Sequence, residues 1–324
     1  MNSRWAAHIR RTLEGTTRWR GSSPSHRKRK LTRVHPGSLT MIVPNADQTS
    51  AAVARHYNEL DPFYRDIWGN HVHHGFWKTG RETSAEAADA LANLVAERLD
   101  LKPGLAACDI GCGYGETARL FASRYGVSVE GVTISENQFR LAAAHSRPGV
   151  SISLCDWLQN SFPDRHFDCA YAIESTEHMG DKGRFFSEAF RVLRPGGRLV
   201  VCAWVAKTDA SRLEERLLLE PICRYGRLPG MGTEEDYRAL ASGTGFALLA
   251  AEDISANVRR TWAICIERSA AKLVSDRRYR RFLLKERTHN KAFALTLFLI
   301  QAAYATGAMR YCVFTFQKPS SHPA

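Results

Sequence analysis

No two of the eight cysteines (Cys108, Cys112, Cys155, Cys169, Cys202, Cys223, Cys265 and Cys312) form a Cys-x-x-Cys pair. Most stand in apolar, strand-like runs and read as small buried hydrophobes in a reducing compartment; a zinc ribbon or a disulfide framework is not expected. Long apolar runs are scarce too. No uncharged stretch clearly exceeds the ~18–20 residues of a spanning helix, which disfavours a membrane span. A secretory signal is missing, because no apolar core follows the amino-terminal charges. Disorder is disfavoured by the 44% of apolar residues in the 324-residue chain.

Acidic residues are nearly absent from the first 46 positions. Ten Lys/Arg against Glu14 alone give this arm +9 of the total +12, leaving +3 for residues 47–324. A body so close to neutral gives no electrostatic reason to expect nucleic acid; such a reading would rest on the arm, whose grip would fall steeply with salt. The arm is rich in Arg, Ser and Thr, lacks apolar periodicity, and resembles a transit peptide or upstream sequence read in ahead of Met41. A cytoplasmic location is expected, with organellar targeting or peripheral membrane contact left open.

What is present is alternation. Ser50–Leu60 and Asp61–Trp68 suggest two helices, and the Thr83-Ser84-Ala85-Glu86 capping box starts another. Strands are expected at 106–110, 128–133, 150–154, 167–172, 198–204, 246–252 and 310–317, the first five with helices or short loops between. This predicts an α/β, doubly wound, seven-stranded Rossmann-like sheet. The expected divisions are a basic extension (1–46), a helical lid (47–102), the core (103–253), a helical insert (254–309) and a final core strand (310–319). The uncharged run 292–309 is either the buried face of a cap or an interfacial helix, the former favoured by its interrupting Thr296, Gln301 and Thr306.

The chemistry centres on Asp109-Ile110-Gly111-Cys112-Gly113-Tyr114-Gly115, between the first strand and its helix. Glycines allow a tight turn and close backbone approach, and the helix start offers free N–H groups. A nicotinamide site wants Gly at 116, where this chain has Glu116. Gly-x-Gly-x-Gly with an acid two residues ahead fits an S-adenosylmethionine site instead, Asp109 ordering the loop and facing the cationic methionyl end. Asp156 after the third strand can accept from an adenine amino group while Trp157 packs on the ring. The second strand ends in Thr133-Ile134-Ser135 with Gln138 beyond, where many such enzymes place a ribose-binding acid; Gln138 is a ribose partner, a capping-box member with Ser135, or both. Glu177 and His178 at the fourth strand's end can make a general base or anchor the next helix. Trp204 ends the fifth strand on the same rim. His71, His73 and His74 could suggest a metal, but no second cluster supplies ligands, so no metal is expected.

Together Asp-Ile-Trp-Gly-Asn-His-Val-His-His-Gly-Phe (66–76), the glycine loop, Thr133-Ile134-Ser135 with Gln138, Glu174-Ser175-Thr176-Glu177-His178-Met179, Pro195-Gly196-Gly197-Arg198 and Phe316-Gln317-Lys318-Pro319 resemble the tocopherol methyltransferases, from about His56 to Pro319. Their wider relatives are the sterol, cyclopropane-fatty-acid and N-methylating enzymes. The resemblance implies a methyl donor held by Asp109, Gly111, Cys112, Gly113, Gly115, Thr133, Ile134, Ser135, Gln138, Asp156, Trp157 and Glu174, with His73 and His74 over its methionine part. It places Glu177-His178 toward a small, lipophilic phenolic acceptor lined by Trp204 and by Thr176, which stands where tocopherol enzymes carry Gly. An N- or O-methyltransferase on the same scaffold is the alternative.

Overall fold

The computed structural model describes residues 39–45, 48–69, 71–145, 147–284 and 293–320. Most of the expected basic extension lies outside them. Its last residues do not: Ile42 exchanges backbone hydrogen bonds with Met231, and the Thr40 N–H donates to Asp236. The body therefore begins before the expected boundary at 46, on the short apolar run Met41-Ile42-Val43.

Helix α1 spans Ser50–Trp68 as one element, correcting the expectation of two. Pro62 lies inside it and cannot donate to the carbonyl of Asn58 four residues back. That carbonyl instead accepts from Asn137 Nδ2 at 3.1 Å. Asn58 Oδ1 also accepts from Ser135 Oγ at 2.7 Å and from the Asn137 N–H. Pro62 thus frees a carbonyl that helps to pin the lid onto the core.

After α2 (Ser84–Leu99), strands β1 (Ala106–Ile110), β2 (Ser128–Thr133), β3 (Val150–Leu154), β4 (Phe167–Ile173) and β5 (Leu193–Ala206) pair in parallel, in the order β3-β2-β1-β4-β5. Helices α3 (Glu116–Tyr125), α4 (Glu136–Ala144) and α5 (Lys182–Val192) connect them. An irregular helical stretch follows over Arg212–Glu214, Glu215–Leu219 and Glu220–Tyr225, then α6 (Glu234–Thr244) and β6 (Ala247–Asp253). Strand β7 (Met309–Gln317) enters antiparallel between β5 and β6, completing the expected seven strands. Between β6 and β7 lies the insert: α7 (Arg260–Ser275), α8 (Arg277–Leu284) and α9 (Phe293–Thr306).

Two apolar layers cover the sheet. One gathers Leu91, Val95, Phe121, Trp262 and Ile300, the other Phe185, Phe186, Tyr237 and Phe246. In α9, Leu297, Ile300 and Ala303 are buried while Leu295 and Phe298 are exposed, so the uncharged run is a cap with an apolar outer side. Strand order reverses between β1 and β4, so the loops after them diverge and open a crevice at the strands' carboxyl ends. Gly111 sits there at φ +84°, where a Cβ would lie 2.3 Å from the Ser175 Cβ.

Asn58 holds two donors from the core, so Asn58→Ala should lower the unfolding free energy by ~1–3 kcal/mol in a urea titration. A loss below ~0.5 kcal/mol, the size of an ordinary surface substitution, would show that the lid is held elsewhere.

Candidate active site

The crevice above the glycine loop is a cleft lined by Gly111, Gly113, Thr133, Ile134, Gln138, Asp156, Trp157 and Glu174 of the expected donor residues. A Cβ at Gly113 would meet open space, so this glycine keeps the loop low beneath the cleft. Cys112 and Gly115 stand behind the lining. Cys112 packs where Gly131 leaves room, and Gly115, at φ +75°, caps α3.

Thr133 Oγ1 donates to Gln138 Oε1 at 2.8 Å, leaving the amide –NH2 as the end that can meet a ligand hydroxyl. Ser135 Oγ accepts from the Gln138 N–H and donates to Asn58, so Ser135 caps α4 and ties down the lid while the Gln138 side chain faces the cleft. Asp156 Oδ1 accepts from the Leu158 N–H, and the buried Trp157 donates to the Phe185 carbonyl. Asp109 is buried beneath the loop, and its Oδ2 has no hydrogen-bond partner among the described residues. Burial pushes its carboxyl up to about 7, against the pull of Tyr171. A buried carboxyl short of a donor, beneath a loop of backbone N–H groups, fits a cationic ligand with an adenosyl arm.

Glu174 takes the left-handed conformation at φ +53°. Its carboxylate accepts from the His74 N–H (2.7 Å), His74 Nδ1 (2.8 Å), the Tyr311 hydroxyl (2.8 Å) and Trp204 Nε1 (3.2 Å). Burial works to raise this carboxyl, but the His74 ring and N–H outweigh it and hold it below the usual carboxylate range. Trp262 Nε1 donates to His74 Nε2 at 2.6 Å, fixing the imidazole proton on Nδ1. His73 turns away from the cleft: Nδ1 donates to the His74 carbonyl and Nε2 meets His71, and burial lowers its pKa to about 4. Val72, between these histidines, is the residue of the segment that reaches the cleft.

A second cavity adjoins the first. Tyr57, Val72, Glu174 and His178 line both; Tyr64, Trp68, Trp204, Leu228, Trp262 and Ile300 are among those completing the second. His178 Nε2 lies 2.8 Å from the Tyr57 hydroxyl, and Nδ1 faces the Arg227 carbonyl at 3.4 Å. With the proton on Nδ1 toward that carbonyl, Tyr57 donates to Nε2. Burial lowers the His178 pKa to about 4, so the ring is neutral at working pH.

Glu177 and Thr176 line neither cavity. Glu177 Oε1 accepts from the Trp204 N–H at 2.6 Å, and burial pushes its carboxyl up to about 7. The buried Thr176 bonds Glu177 and the Tyr237 hydroxyl. The expected Glu177–His178 pairing is thus replaced by Tyr57–His178. Tyr57, Tyr64 and Trp68 were not singled out in the sequence; their spacing of seven and four residues, on one face of α1, is the signal that could have found them.

In sequence, residues 45–300 match the mycolic acid cyclopropane synthetase family. The chloroplastic tocopherol O-methyltransferase of Arabidopsis thaliana is 31% identical over 293 residues, covering 82% of each chain. The 2-methyl-6-phytyl-1,4-hydroquinone methyltransferase of Synechocystis sp. is 34% identical over 182 residues, covering 53% of this chain and 57% of its own. Among solved structures, the cyclase SpnF superposes with a TM-score of 0.74 at 27% identity, over 86% of this chain and 99% of its own. A cyclopropane synthase from Mycobacterium tuberculosis shares the fold, with a TM-score of 0.73 at 23% identity over 85% of this chain and 100% of its own. The glycine-loop cleft and the match over most of its length converge: the chain belongs to the mycolic acid cyclopropane synthetase family and is an S-adenosylmethionine-dependent methyltransferase.

Proposed function

We propose that the protein methylates a ring carbon of a small, lipophilic phenolic acceptor of the hydroquinone or chromanol kind. One observation carries this reading: the second cavity is walled mainly by aromatic and aliphatic side chains, with Thr296 among them, and Tyr57, His178 and Glu174 stand where it meets the donor cleft. A flat apolar ring fits such walls, and its hydroxyl needs a partner at one edge. The names of the relatives from Arabidopsis thaliana and Synechocystis sp., a tocopherol O-methyltransferase and a 2-methyl-6-phytyl-1,4-hydroquinone methyltransferase, support the acceptor class. The choice of a ring carbon rests on the base at His178.

The donor supplies an electrophilic methyl on a sulfonium, and the protein's part is alignment, worth up to ~7–11 kcal/mol of barrier. Gly111, Gly113 and Gln138 hold the donor, and Trp157 and Asp156 its adenine. Trp204 and Trp262 set the acceptor ring edge-on toward the shared wall. Neutral His178 takes up the phenolic proton at Nε2, displacing or relaying through the Tyr57 hydroxyl, which makes the ring carbon nucleophilic. Once methylated, that carbon sheds its own proton to solvent and the ring oxygen recovers the proton held by His178, so one proton is released overall. The carboxylate of Glu174, on the same wall, stabilises the imidazolium as it forms. Glu177 and Thr176 position this wall by fixing the end of β5.

Incubation with labelled donor and prenylated hydroquinones, followed by mass spectrometry and NMR of the products, tests the assignment. A ring-methylated product supports it; a methyl found on oxygen or nitrogen overturns it.

His178→Ala should depress turnover on such an acceptor by ~10²–10⁴ with donor affinity little changed, and Tyr57→Phe should cost less. Because the His178 pKa is lowered to about 4, the imidazole loses its ability to accept only as pH falls toward 4. The acid limb set by this group in a pH–rate profile should therefore lie near 4, and a limb near the ordinary histidine value of ~6.5 would contradict the assignment.

Asp109 is half protonated near pH 7 in the free protein, and a cationic ligand favours the carboxylate. Donor binding at pH 6.5–7, followed by calorimetry in buffers of different ionisation heat, should release a fraction of a proton. Asp109→Asn should abolish that release and weaken donor binding by well over tenfold; retained release would place the titrating group elsewhere.

A further inference from the structure

Charge on the body is distributed unevenly. Residues 259–291 carry eleven Lys/Arg and three acids, +8 in all, although residues 47–324 together carry only +3. Everything else in the body is therefore net acidic, and the insert is its basic part. Helix α8 concentrates this charge: Arg277, Arg280 and Arg281 are exposed, Arg280 also donating to the Leu273 and Val274 carbonyls at the end of α7, while Arg278 is engaged by Asp276 and Asp66. On the flanking helices, Val274 is 82%, Phe298 58% and Leu295 52% exposed.

The same three helices line a partly open apolar groove on their inner side, where Leu60, Phe63 and Ile67 of α1 face Leu273, Tyr279 and Leu297. Tyr64 and Trp68 line this groove and the second cavity alike, so the two adjoin. Exposed arginines beside exposed large apolar side chains are the chemistry of a surface that meets anionic headgroups and inserts shallowly among acyl chains. An apolar groove lined by those helices gives the arrangement a use.

We propose that the outer face of α8, with the carboxyl end of α7 and the first turns of α9, docks on an anionic lipid surface, and that a long-chain acceptor passes from the bilayer through the inner groove to the wall at His178. The route rests on the lipophilic-acceptor reading above; the docking does not.

The test is hydrogen–deuterium exchange by mass spectrometry on the full chain, with vesicles of equal parts phosphatidylglycerol and phosphatidylcholine and, in parallel, of phosphatidylcholine alone. Peptides covering 274–282 and 295–299 should exchange about fivefold more slowly or less on the anionic vesicles, and not on the neutral ones. The combined variant Arg277→Glu, Arg281→Glu, Phe298→Ser should lose that protection while donor affinity, read by calorimetry, stays at the wild-type value. Protection confined to residues 1–46 would assign vesicle binding to the arm and overturn the proposal. Protection of the helices that grows with protein concentration without vesicles would make a second copy of the chain the occupant, also overturning it. The vesicles contain no acceptor, so failure here leaves the acceptor reading standing, and failure of that reading leaves this result standing.

Discussion

The buried carboxylate of Glu174 holds the parts of this molecule together. Its side chain is 8% exposed, and an ion so placed is costly unless hydrogen bonds replace its water. Four donors do so: two from His74 in the lid loop, one from Trp204 at the end of β5 and one from Tyr311 on β7. His74 passes the constraint to the insert by accepting from Trp262. One oxygen pair thus fixes the lid loop, two core strands and the cap, and the left-handed turn at Glu174 is the backbone strain that aims it there.

From that junction the two cavities follow. The donor cleft exists because strand order reverses between β1 and β4, a property of the sheet alone. The second cavity exists because α1 and the insert are laid over the rim, one pinned through Asn58 and the other through Trp262. The side chains able to handle a proton, Tyr57 on α1 and His178 after β4, meet where α1 is laid over the core.

Much of this was legible in residue order, because it depends on local rules. The glycine loop, the strand ends at Thr133 and Asp156 and the capping role of Ser135 are each set by a few neighbouring residues, and the seven strands stand near their expected positions. The Glu177–His178 pair was misread because they lie in a tight turn, Thr176–His178, of three residues per revolution. Adjacent side chains there diverge by about 120°, which sends the carboxylate back to β5 and the imidazole out to Tyr57. The run 50–68 was divided in two although it is one helix, and the donor that replaces the N–H missing at Pro62 comes from Asn137, far along the chain. Tyr57 was missed because its partner is 121 residues away.

The account stands most directly on Glu174→Gln, in which an amide replaces one oxygen and, whichever way it is turned, sets its N–H against a group that can only donate, the His74 N–H or Trp204 Nε1–H. His74 cannot relieve the conflict by moving its ring proton, because Trp262 already donates to its other nitrogen. Urea unfolding and donor calorimetry on this variant should show stability reduced by ~3 kcal/mol and donor affinity lost by more than tenfold. Wild-type stability together with wild-type donor affinity would contradict the claim that this carboxylate joins lid, sheet and insert into one site.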